Sequence, residues 1–427
     1  MGCVRRAINL RADRPLHFLV GGVRFGNHNV GDDAILEGVV KILKKVRPNC
    51  EITVLTDQPR YTANKLGVKA FKYQFVVPSS GKINRLFRMI SRVFENLIQV
   101  YLVLRSDVVV FGGGTILSDS PAVILRLVSW AIFADKRLVH FPGGMNPGNS
   151  PDTLKRLLEI SKEFDLFMVR DIESKNRLVK AGFKSESVHV TIDPAFNISL
   201  SSVPVESDAE LHWLDKSRNI VGIGISQEPD CAHHNNPVEW GRIADFLIES
   251  LGVDVIFLPS NTQTGKDILA MRRTMETMTY KQRAHLVETE LTPQAEILAI
   301  SQLQIMISSR MHQLIFSALA TTPFVGISRC AKIDSFLATF EMNPAAKVSA
   351  CTLENIRPAL EATWAMRNEI RSTLISKRRL LLETALETEK LFAKCLDTIS
   401  SRPKPHRKLV MRGKSFLAAC FMRYSMS

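Results

Sequence analysis

A permanent cation and an imidazole stand two residues apart in the run Ser308, Ser309, Arg310, Met311, His312. The apolar residues before this run predict a buried strand, and those after it have helical spacing. Arg310 and His312 are therefore predicted at a strand-to-helix turn, where free backbone N–H groups and the helix dipole favour an anion. A structural alternative stays open, because either serine can cap the helix while Arg310 pairs with a carboxylate.

A second candidate lies after the first predicted strand, in a loop that carries Asn29, Gly31 and Asp32. A glycine there allows close backbone approach to a ligand, at the carboxyl end of a strand where open α/β sheets bind ligands. The spacing is not G-x-G-x-x-G, so a dinucleotide site is not favoured. Asp32 is equally consistent with a helix N-cap.

A third candidate is the triplet Gly112, Gly113 and Gly114, which follows an apolar strand and exposes backbone amides. Three glycines in a row are harder to explain as a plain turn, so a site is slightly favoured here. Arg170 ends another predicted strand and adds a cation, and Asp171 after it fits either a helix cap or a ligand.

Strands that alternate with helical patterns predict an α/β fold with parallel sheets. The 427 residues exceed what one hydrophobic core usually supports. We expect two Rossmann-like domains that face each other across a cleft, with C-terminal helices. The predicted segments are an N-terminal domain over 1–200, a C-terminal domain over 216–350, a helical extension over 351–400 and a basic tail over 401–427.

The net charge of +14 favours acidic partners, and seven of the excess basic residues lie in the last 27 residues with no acid among them. Seven scattered cysteines without C-x-x-C spacing argue against a disulfide framework and against a structural zinc site. No metal-ligand spacing is visible, and the N-terminus shows no secretory signal. The expected location is the cytoplasm.

Two segments combine basic and apolar residues. Residues 81–105 carry arginines at helical spacing with apolar residues on the other side, and residues 401–427 interleave both types. Such segments are typical of a peripheral contact with an anionic membrane surface, here the inner membrane face. For the first segment, a basic solvated face on a packed helix is about equally consistent with the pattern.

Five elements in order resemble the polysaccharide pyruvyl transferase family over roughly residues 16–345. They are Asn29-Val30-Gly31-Asp32-Asp33-Ala34-Ile35, Gly112-Gly113-Gly114-Thr115, Arg170-Asp171 with Ser174 and Gly182, Asp193-Pro194, and Ser309-Arg310-Met311-His312. The order and spacing of the set are far more specific than any one element. His28, the Gly143–Pro147 turn and the basic tail depart from the family pattern.

The resemblance implies a GT-B-like fold and the transfer of pyruvate from phosphoenolpyruvate onto sugar hydroxyls as a ketal. Phosphoenolpyruvate carries a carboxylate and a phosphate, so its binding needs at least two fixed cations. Ketal formation also needs a group that titrates near neutral pH. The acceptor is expected on the N-terminal domain, and phosphoenolpyruvate, a co-substrate, on the C-terminal one; no cofactor is implied.

By family position, Arg310 and His312 would hold the phosphate, and His312 would also protonate the leaving group. Arg170 is the candidate for the second anion contact, and Asp32 is the candidate base or acceptor-hydroxyl ligand. The other expected substrate-binding residues are Asn29, Gly31, Gly112, Gly113, Gly114 and Ser309.

Two rival functions stay open at this point. A nucleotide-sugar glycosyltransferase of GT-B type has the same two-domain shape but releases nucleotide instead of inorganic phosphate. A binding protein for saccharide or nucleic acid would have kept the fold and lost the chemistry. Nucleic acid is not expected as a partner, because the aromatic interleaving typical of single-strand binding is missing.

Overall fold

The computed structural model describes residues 14–72, 82–114, 122–145, 151–198, 219–229, 231–262 and 266–401. Strands and helices alternate along these residues. The strands are β1 (His17–Phe25), β2 (Glu51–Thr56), β3 (Lys69–Lys72), β4 (Val108–Phe111), β5 (Arg137–Gly143), β6 (Leu166–Val169), β7 (His189–Val190), β8 (Ile220–Gly224), β9 (Asp254–Phe257), β10 (Ala284–Leu286), β11 (Ile305–Ser308), β12 (Phe324–Ser328) and β13 (Ala346–Lys347). The helices are α1 (Val30–Val46), α2 (Pro59–Leu66), α3 (Lys82–Arg105), α4 (Ala122–Phe133), α5 (Pro151–Ser161), α6 (Ile172–Lys180), α7 (Pro237–Leu251), α8 (Asp267–Thr277), α9 (Pro293–Ser301), α10 (Met311–Ala320), α11 (Ala331–Ala338), α12 (Leu353–Ala365) and α13 (Arg367–Ser401).

The first compact unit comprises Met1–Gly26, Val39–Thr191 and Glu387–Ser427. Its sheet has the order β3-β2-β1-β4-β5-β6-β7, and the neighbouring strands run parallel. All four residues of β4 and of β6 are buried, because helices cover both faces of a parallel sheet. The strand order reverses at β1, and this switch point is where open α/β sheets form ligand sites.

The second compact unit comprises Asn27–Gly38 and Ile192–Leu386. Its parallel sheet has the order β10-β9-β8-β11-β12-β13. All residues of β8 and of β11 are buried. The order reverses at β8, between β9 and β11, so the loops after these three strands meet at one edge. The α/β class and two Rossmann-like units are as predicted.

Two helices contribute to both units. The chain from Asn27 to Gly38, including the start of α1, belongs to the second unit, and the rest of α1 belongs to the first. Gly38 permits the start of α1 to lie close to Pro194 of the same unit, since a Cβ atom at this position would be 1.9 Å from the carbonyl oxygen of Pro194. Helix α13 runs from the second unit into the first. Residues 201–215, between the two predicted domains, lie outside the described residues, as does the basic tail beyond residue 401.

The end of α13 is part of the first unit's core. Phe392 is fully buried, and its ring centroid lies 5.9 Å from that of Phe18 on β1 and 5.2 Å from that of Phe141 on β5. Ion pairs from Lys45 to Glu389 and from Arg47 to Asp397 flank this contact. The helix therefore closes one face of the first sheet.

Phe392→Ala is expected to destabilise the protein by about 3–5 kcal/mol, because it removes a buried aromatic ring and leaves a cavity. Lys390→Ala, at an exposed position one turn or less away, is the control and is expected to change stability by less than about 0.5 kcal/mol. Urea unfolding measures both. Equal stability of the two variants would show that the end of α13 is not a core element.

Candidate functional site

The predicted anion turn lies in the second unit, between β11 and α10. Ser308 and Ser309 are fully buried, and Arg310 is nearly so. The Ser308 hydroxyl accepts a hydrogen bond from the Arg310 backbone N–H at 2.8 Å, and Ser309 Oγ accepts one from the Ser226 N–H at 2.8 Å. The hydroxyl of Ser309, predicted to bind substrate, is thus used here to hold the loop after β8 against the turn.

Arg310 forms a buried ion cluster with two carboxylates. Its Nε donates to Asp267 Oδ2 at 2.9 Å, its Nη2 donates to Asp267 Oδ1, and its Nη1 donates to Glu228 Oε1 at 2.9 Å. Burial alone would lower the pKa of Arg310, but the two carboxylates outweigh it and raise the pKa. Three of the five N–H donors of the guanidinium are therefore used by carboxylates of the second unit.

Asp267 has no exposed surface, and its charge is compensated from several sides. Besides Arg310, it accepts hydrogen bonds from the backbone N–H groups of Gln227, Ser260 and Asn261, at 2.9–3.2 Å. These amides belong to the loops that follow β8 and β9. One carboxylate therefore connects the ends of β8 and β9 to the turn after β11.

Glu228 stays ionised although it is partly buried. Burial raises the pKa of Glu228, but the charge and hydrogen bond of Arg310, followed by the charges of Lys266 and Arg329, outweigh burial and lower the pKa to about 2. Lys266 Nζ lies 3.3 Å from Glu228 Oε2. The alternative that Arg310 pairs with a carboxylate is thus confirmed, but the sequence could not identify the partners, because they are separated from Arg310 by 43 and 82 residues.

The Asn29–Asp32 loop lies against the same turn. A Cβ atom at Gly31 would be 2.0 Å from His312 Nδ1, so only glycine permits the imidazole to lie this close to the start of α1. Asn29 Oδ1 accepts the Gly31 N–H at 3.1 Å, and the backbone of Asn29 pairs with Asn261 in an isolated bridge. The structure thus brings together three predicted site residues, Asn29, Gly31 and His312, within the second unit.

Asp32 follows Gly31 in the first turn of α1. Burial, reinforced by the neighbouring Asp33 and by Glu228, raises the pKa of Asp32 to about 7, against opposing contributions from an Asn27 hydrogen bond and from Lys332. Part of the Asp32 residue reaches the surface, yet its carboxyl group is desolvated. A carboxyl group with a pKa near neutrality can both give and accept a proton, which is typical of catalytic acids and bases.

A buried polar network supports the turn from behind. Gln313 Nε2 donates to Glu296 Oε1 at 2.8 Å and to the Leu258 carbonyl at 2.7 Å, while Gln313 Oε1 accepts from Ser308 Oγ at 2.7 Å. Burial raises the pKa of Glu296 to about 8, so this carboxyl group is largely protonated at neutral pH. The network keeps Ser308, and through it the Arg310 backbone, in one position.

The remaining predicted residues form a separate cluster in the first unit. Gly113 and Gly114 have positive φ angles of 55° and 71°, and the Gly114 carbonyl accepts the Gly144 N–H at 2.7 Å. A Cβ atom at Gly144 would be 2.7 Å from Arg170 Nη2, so the guanidinium lies directly on this backbone. The Arg170 side chain is nearly buried. Gly112 directly follows the last residue of β4, beside this turn.

Asp171, for which a cap and a ligand were both open, caps α6. Its Oδ1 accepts the Ser174 N–H at 2.6 Å, and its Oδ2 lies 3.9 Å from Arg170 Nε. Among the residues that the structure describes, no three His, Cys, Asp or Glu side chains come together as a metal site. The candidate chemistry of the second unit therefore consists of Asp32, His312 and the charged groups around Arg310.

Asp32→Asn is expected to stabilise the protein at alkaline pH. Because the folded pKa of about 7 exceeds the usual 3.8, ionisation of Asp32 costs folded-state stability progressively as pH rises through this interval. At pH 8 the variant should gain up to about 4 kcal/mol over the wild type, and the gain should vanish near pH 4. Thermal unfolding at several pH values measures it.

Glu276→Gln, at an exposed position on α8, is the control for this experiment and should shift the unfolding temperature little at either pH. A wild type and an Asp32→Asn variant whose stabilities differ by the same amount at pH 4 and pH 8 would contradict a carboxyl group that titrates near neutrality.

Comparisons with known proteins agree with this description. A model of the polysaccharide pyruvyl transferase family matches residues 29–330. No curated protein sequence matches the chain. The UDP-GlcNAc 2-epimerase from Neisseria meningitidis, solved bound to UDP-GlcNAc, is 12% identical, with a TM-score of 0.58 over 88% of this chain and 100% of its own.

Two further solved structures are similar. Another UDP-N-acetylglucosamine 2-epimerase is 14% identical, with a TM-score of 0.63 over 92% of this chain and 98% of its own. Anabaena HepE in complex with UDP is 13% identical, with a TM-score of 0.56 over 90% of this chain and 100% of its own. At these identities the likeness shows the fold, which is GT-B-like.

The family match spans more than half of the chain and includes all the predicted site residues of both units, from Asn29 to His312. The chain therefore belongs to the polysaccharide pyruvyl transferase family and is an enzyme of that type.

Proposed function

We propose that the protein transfers pyruvate from phosphoenolpyruvate onto two hydroxyls of one sugar, in a polysaccharide or its lipid-linked precursor. The product is a pyruvate ketal, and inorganic phosphate is released. The observation that best supports this proposal is the close approach of His312 to Gly31, immediately before a carboxyl group whose pKa is about 7. Two proton-handling groups in one place suit a reaction that moves several protons.

The atoms balance as follows in the proposed reaction. The methylene carbon of phosphoenolpyruvate takes one proton, and one sugar hydroxyl forms a C–O bond to the adjacent carbon while losing its own proton. The bond from that carbon to the phosphate oxygen breaks, and the second hydroxyl closes the ketal ring and loses its proton to phosphate. The reaction involves no net oxidation or reduction, so the proposal includes no redox cofactor.

Asp32 and His312 have complementary roles in this proposal. Protonated Asp32 gives its proton to the methylene carbon and, as a carboxylate, then accepts the proton of the attacking hydroxyl. A pKa of about 7 supports both steps, since each protonation state is well populated at neutral pH. His312 protonates the departing phosphate and is reprotonated by the second sugar hydroxyl, so that the net transfer is one proton from that hydroxyl to phosphate. Asn29 and Gly31 position the backbone that carries Asp32 against the imidazole.

Arg310 is proposed to hold the phosphate with the N–H groups that are not used by Asp267 and Glu228, the two carboxylates described above. Because these carboxylates fix the guanidinium, its remaining donors are oriented before the substrate arrives. Ser309 contributes through the loop that it holds. In the first unit, Arg170 with Gly112, Gly113 and Gly114 is proposed as a second substrate-binding cluster.

His312→Ala is expected to fold normally and to lose about 10²- to 10⁴-fold in the rate of phosphoenolpyruvate-dependent phosphate release, because it lacks the acid for the leaving group. The measurement combines phosphate release in the presence of saccharide acceptors with thermal unfolding. His285→Ala, an exposed histidine of the same unit, is the matched control and should retain the wild-type rate.

Wild-type turnover by His312→Ala would remove the proposed role of this imidazole. Release of nucleotide from a nucleotide sugar, without phosphoenolpyruvate-dependent phosphate release, would instead favour the glycosyltransferase. Absence of both activities, together with retained saccharide binding, would favour the binding protein.

We also propose that residues 81–105 and 401–427 make a peripheral contact with an anionic membrane surface, where a lipid-linked acceptor would lie. Helix α3 supports it with an outward apolar stripe, whose members are 41–60% exposed: Ile90, Val93, Phe94, Leu97, Tyr101 and Leu104. Glu95 and Gln99 on the same helix are buried together with Leu102 and Val103, so the helix exposes large apolar side chains while it buries polar ones. No helix in the described ranges is long and apolar enough to cross a bilayer.

The charge of α3 favours lipid over a protein partner. The helix contains five basic residues and a single acid, Glu95, which is buried, so the net charge of the helix attracts anions. Arg105 lies 5.9 Å from the ring centroid of Tyr101 at one end of the stripe. Apolar side chains flanked by cations are typical of helices that lie in a membrane interface. Such a contact would place the enzyme at the inner membrane face, near a lipid-linked acceptor.

The double variant Phe94→Ser and Leu97→Ser is expected to lose most of its recovery with vesicles of phosphatidylcholine and phosphatidylglycerol in a flotation experiment, because it removes the most exposed apolar surface. Ile375→Ser with Leu380→Ser on α13, at comparably exposed apolar positions, is the control and should float like wild type. Equal recovery of both variants would end the membrane proposal, as would stripe-dependent dimerisation in solution without flotation.

A further inference from the structure

A cavity of about 310 Å³ opens at the carboxyl ends of β8, β12 and β13 in the second unit. Strand ends of this kind are where α/β proteins bind ligands, and the volume suits a small molecule. The proposed donor chemistry uses none of the residues that line this cavity. Its lining includes His234, Ser328, Arg329, Asp334, Lys347 and Ser349.

The cavity has the cations for a phosphate. Arg329 follows β12 and Lys347 ends β13, so two permanent charges from neighbouring strands reach the same space. Ala331, the first residue of α11, also lines it, and the N-cap residue of this helix, Cys330, makes no side-chain cap hydrogen bond. The backbone N–H groups at the start of α11 therefore add to the attraction for an anion.

A carboxylate in the same cavity restricts the kind of anion. Asp334 lines the cavity and is partly exposed. A carboxylate accepts hydrogen bonds and donates none, so a ligand that brings a hydroxyl group would be favoured. Phosphoenolpyruvate has no sugar-type hydroxyl to donate, and Asp334 would repel the carboxylate that it carries in addition to its phosphate. The cavity therefore differs chemically from a donor site.

A nucleotide also fits the lining poorly. The ten lining residues include no Phe, Tyr or Trp, so a base ring would find only the imidazole of His234 for stacking, and the ring of His233 already contacts that imidazole. A phosphate attached to a sugar satisfies both requirements, since its phosphate meets Arg329 and Lys347 while a hydroxyl donates to Asp334. We infer that this cavity binds a glycosyl phosphate. The ligand is then the phosphate-bearing end of the saccharide acceptor, an identification that rests on the proposed function.

Two cations at or next to the cavity interact electrostatically with carboxyl groups of the candidate site. The charge of Arg329 contributes to the low pKa of Glu228, and Lys332, on the first turn of α11, acts on Asp32. A glycosyl phosphate held at this edge would bring sugar hydroxyls toward the side of the sheet that carries the proposed acid and base. Recognition of the phosphate would then select sugars still attached to a carrier or an activating group.

Calorimetric titration of the full chain tests the inference with the 1-phosphates of glucose, galactose and mannose, the free sugars, inorganic phosphate and phosphoenolpyruvate. At least one sugar phosphate should bind about tenfold more tightly than phosphate or the free sugar. Lys347→Gln should weaken both sugar phosphate and phosphate about tenfold. Asp334→Asn should weaken the sugar phosphate but not inorganic phosphate. Lys281→Gln, at an exposed lysine of the same unit, should change neither.

Unchanged sugar-phosphate affinity in Lys347→Gln would overturn the inference, and so would failure of all three sugar phosphates to bind the wild type. A parallel loss of phosphoenolpyruvate affinity in Lys347→Gln would make the cavity a donor site instead. Binding that depends on Lys347 and Asp334, with no phosphoenolpyruvate-dependent phosphate release by the wild type, would leave the cavity standing and remove the proposed function.

Discussion

The buried pairing of Arg310 with Asp267 is the interaction on which the candidate site depends. Asp267 is wholly removed from water, and an isolated carboxylate there would be very costly. It is tolerated because Arg310 and three backbone amides compensate it, and the amides come from the loops after β8 and β9. The same contact therefore neutralises a charge and sets the relative positions of three loops. Removing one partner of such a pair typically costs about 3–5 kcal/mol.

The ion cluster also explains why the neighbouring carboxyl groups differ so much. Glu228 contacts Arg310 and has a pKa near 2, whereas Glu296, bonded to the neutral amide of Gln313, has a pKa near 8. Burial raises the pKa of both groups, and it prevails at Glu296, whereas at Glu228 the charge and hydrogen bond of Arg310 outweigh it. Glu228, paired with Arg310, is therefore a fixed negative charge. Glu296 keeps its proton and can hold Gln313 without adding charge to the core.

The fold was largely predictable, because its central strands are continuous apolar runs that lie between helices. The apolar runs that form β8, β11 and β12 carry this signal. The short edge strands β3 and β13 do not, since two to four partly exposed residues carry little apolar pattern. The Arg310 turn was predicted, but Asp267 was not, because the sequence shows only an acid at a helix start, and its pairing depends on distant loops.

Asp32 shows how burial can overcome a favourable helix position. A carboxylate in the first turn of a helix is normally stabilised by about 0.3–1 kcal/mol through the helix dipole. The rise in the pKa of Asp32 from 3.8 to about 7 corresponds to about 4 kcal/mol in the opposite direction. Desolvation, aided by Asp33 and Glu228, therefore exceeds the dipole several-fold. The position that the sequence allows as a cap is, in the folded protein, one where burial brings the pKa of the carboxyl group near neutrality, directly after the glycine that admits the imidazole of His312.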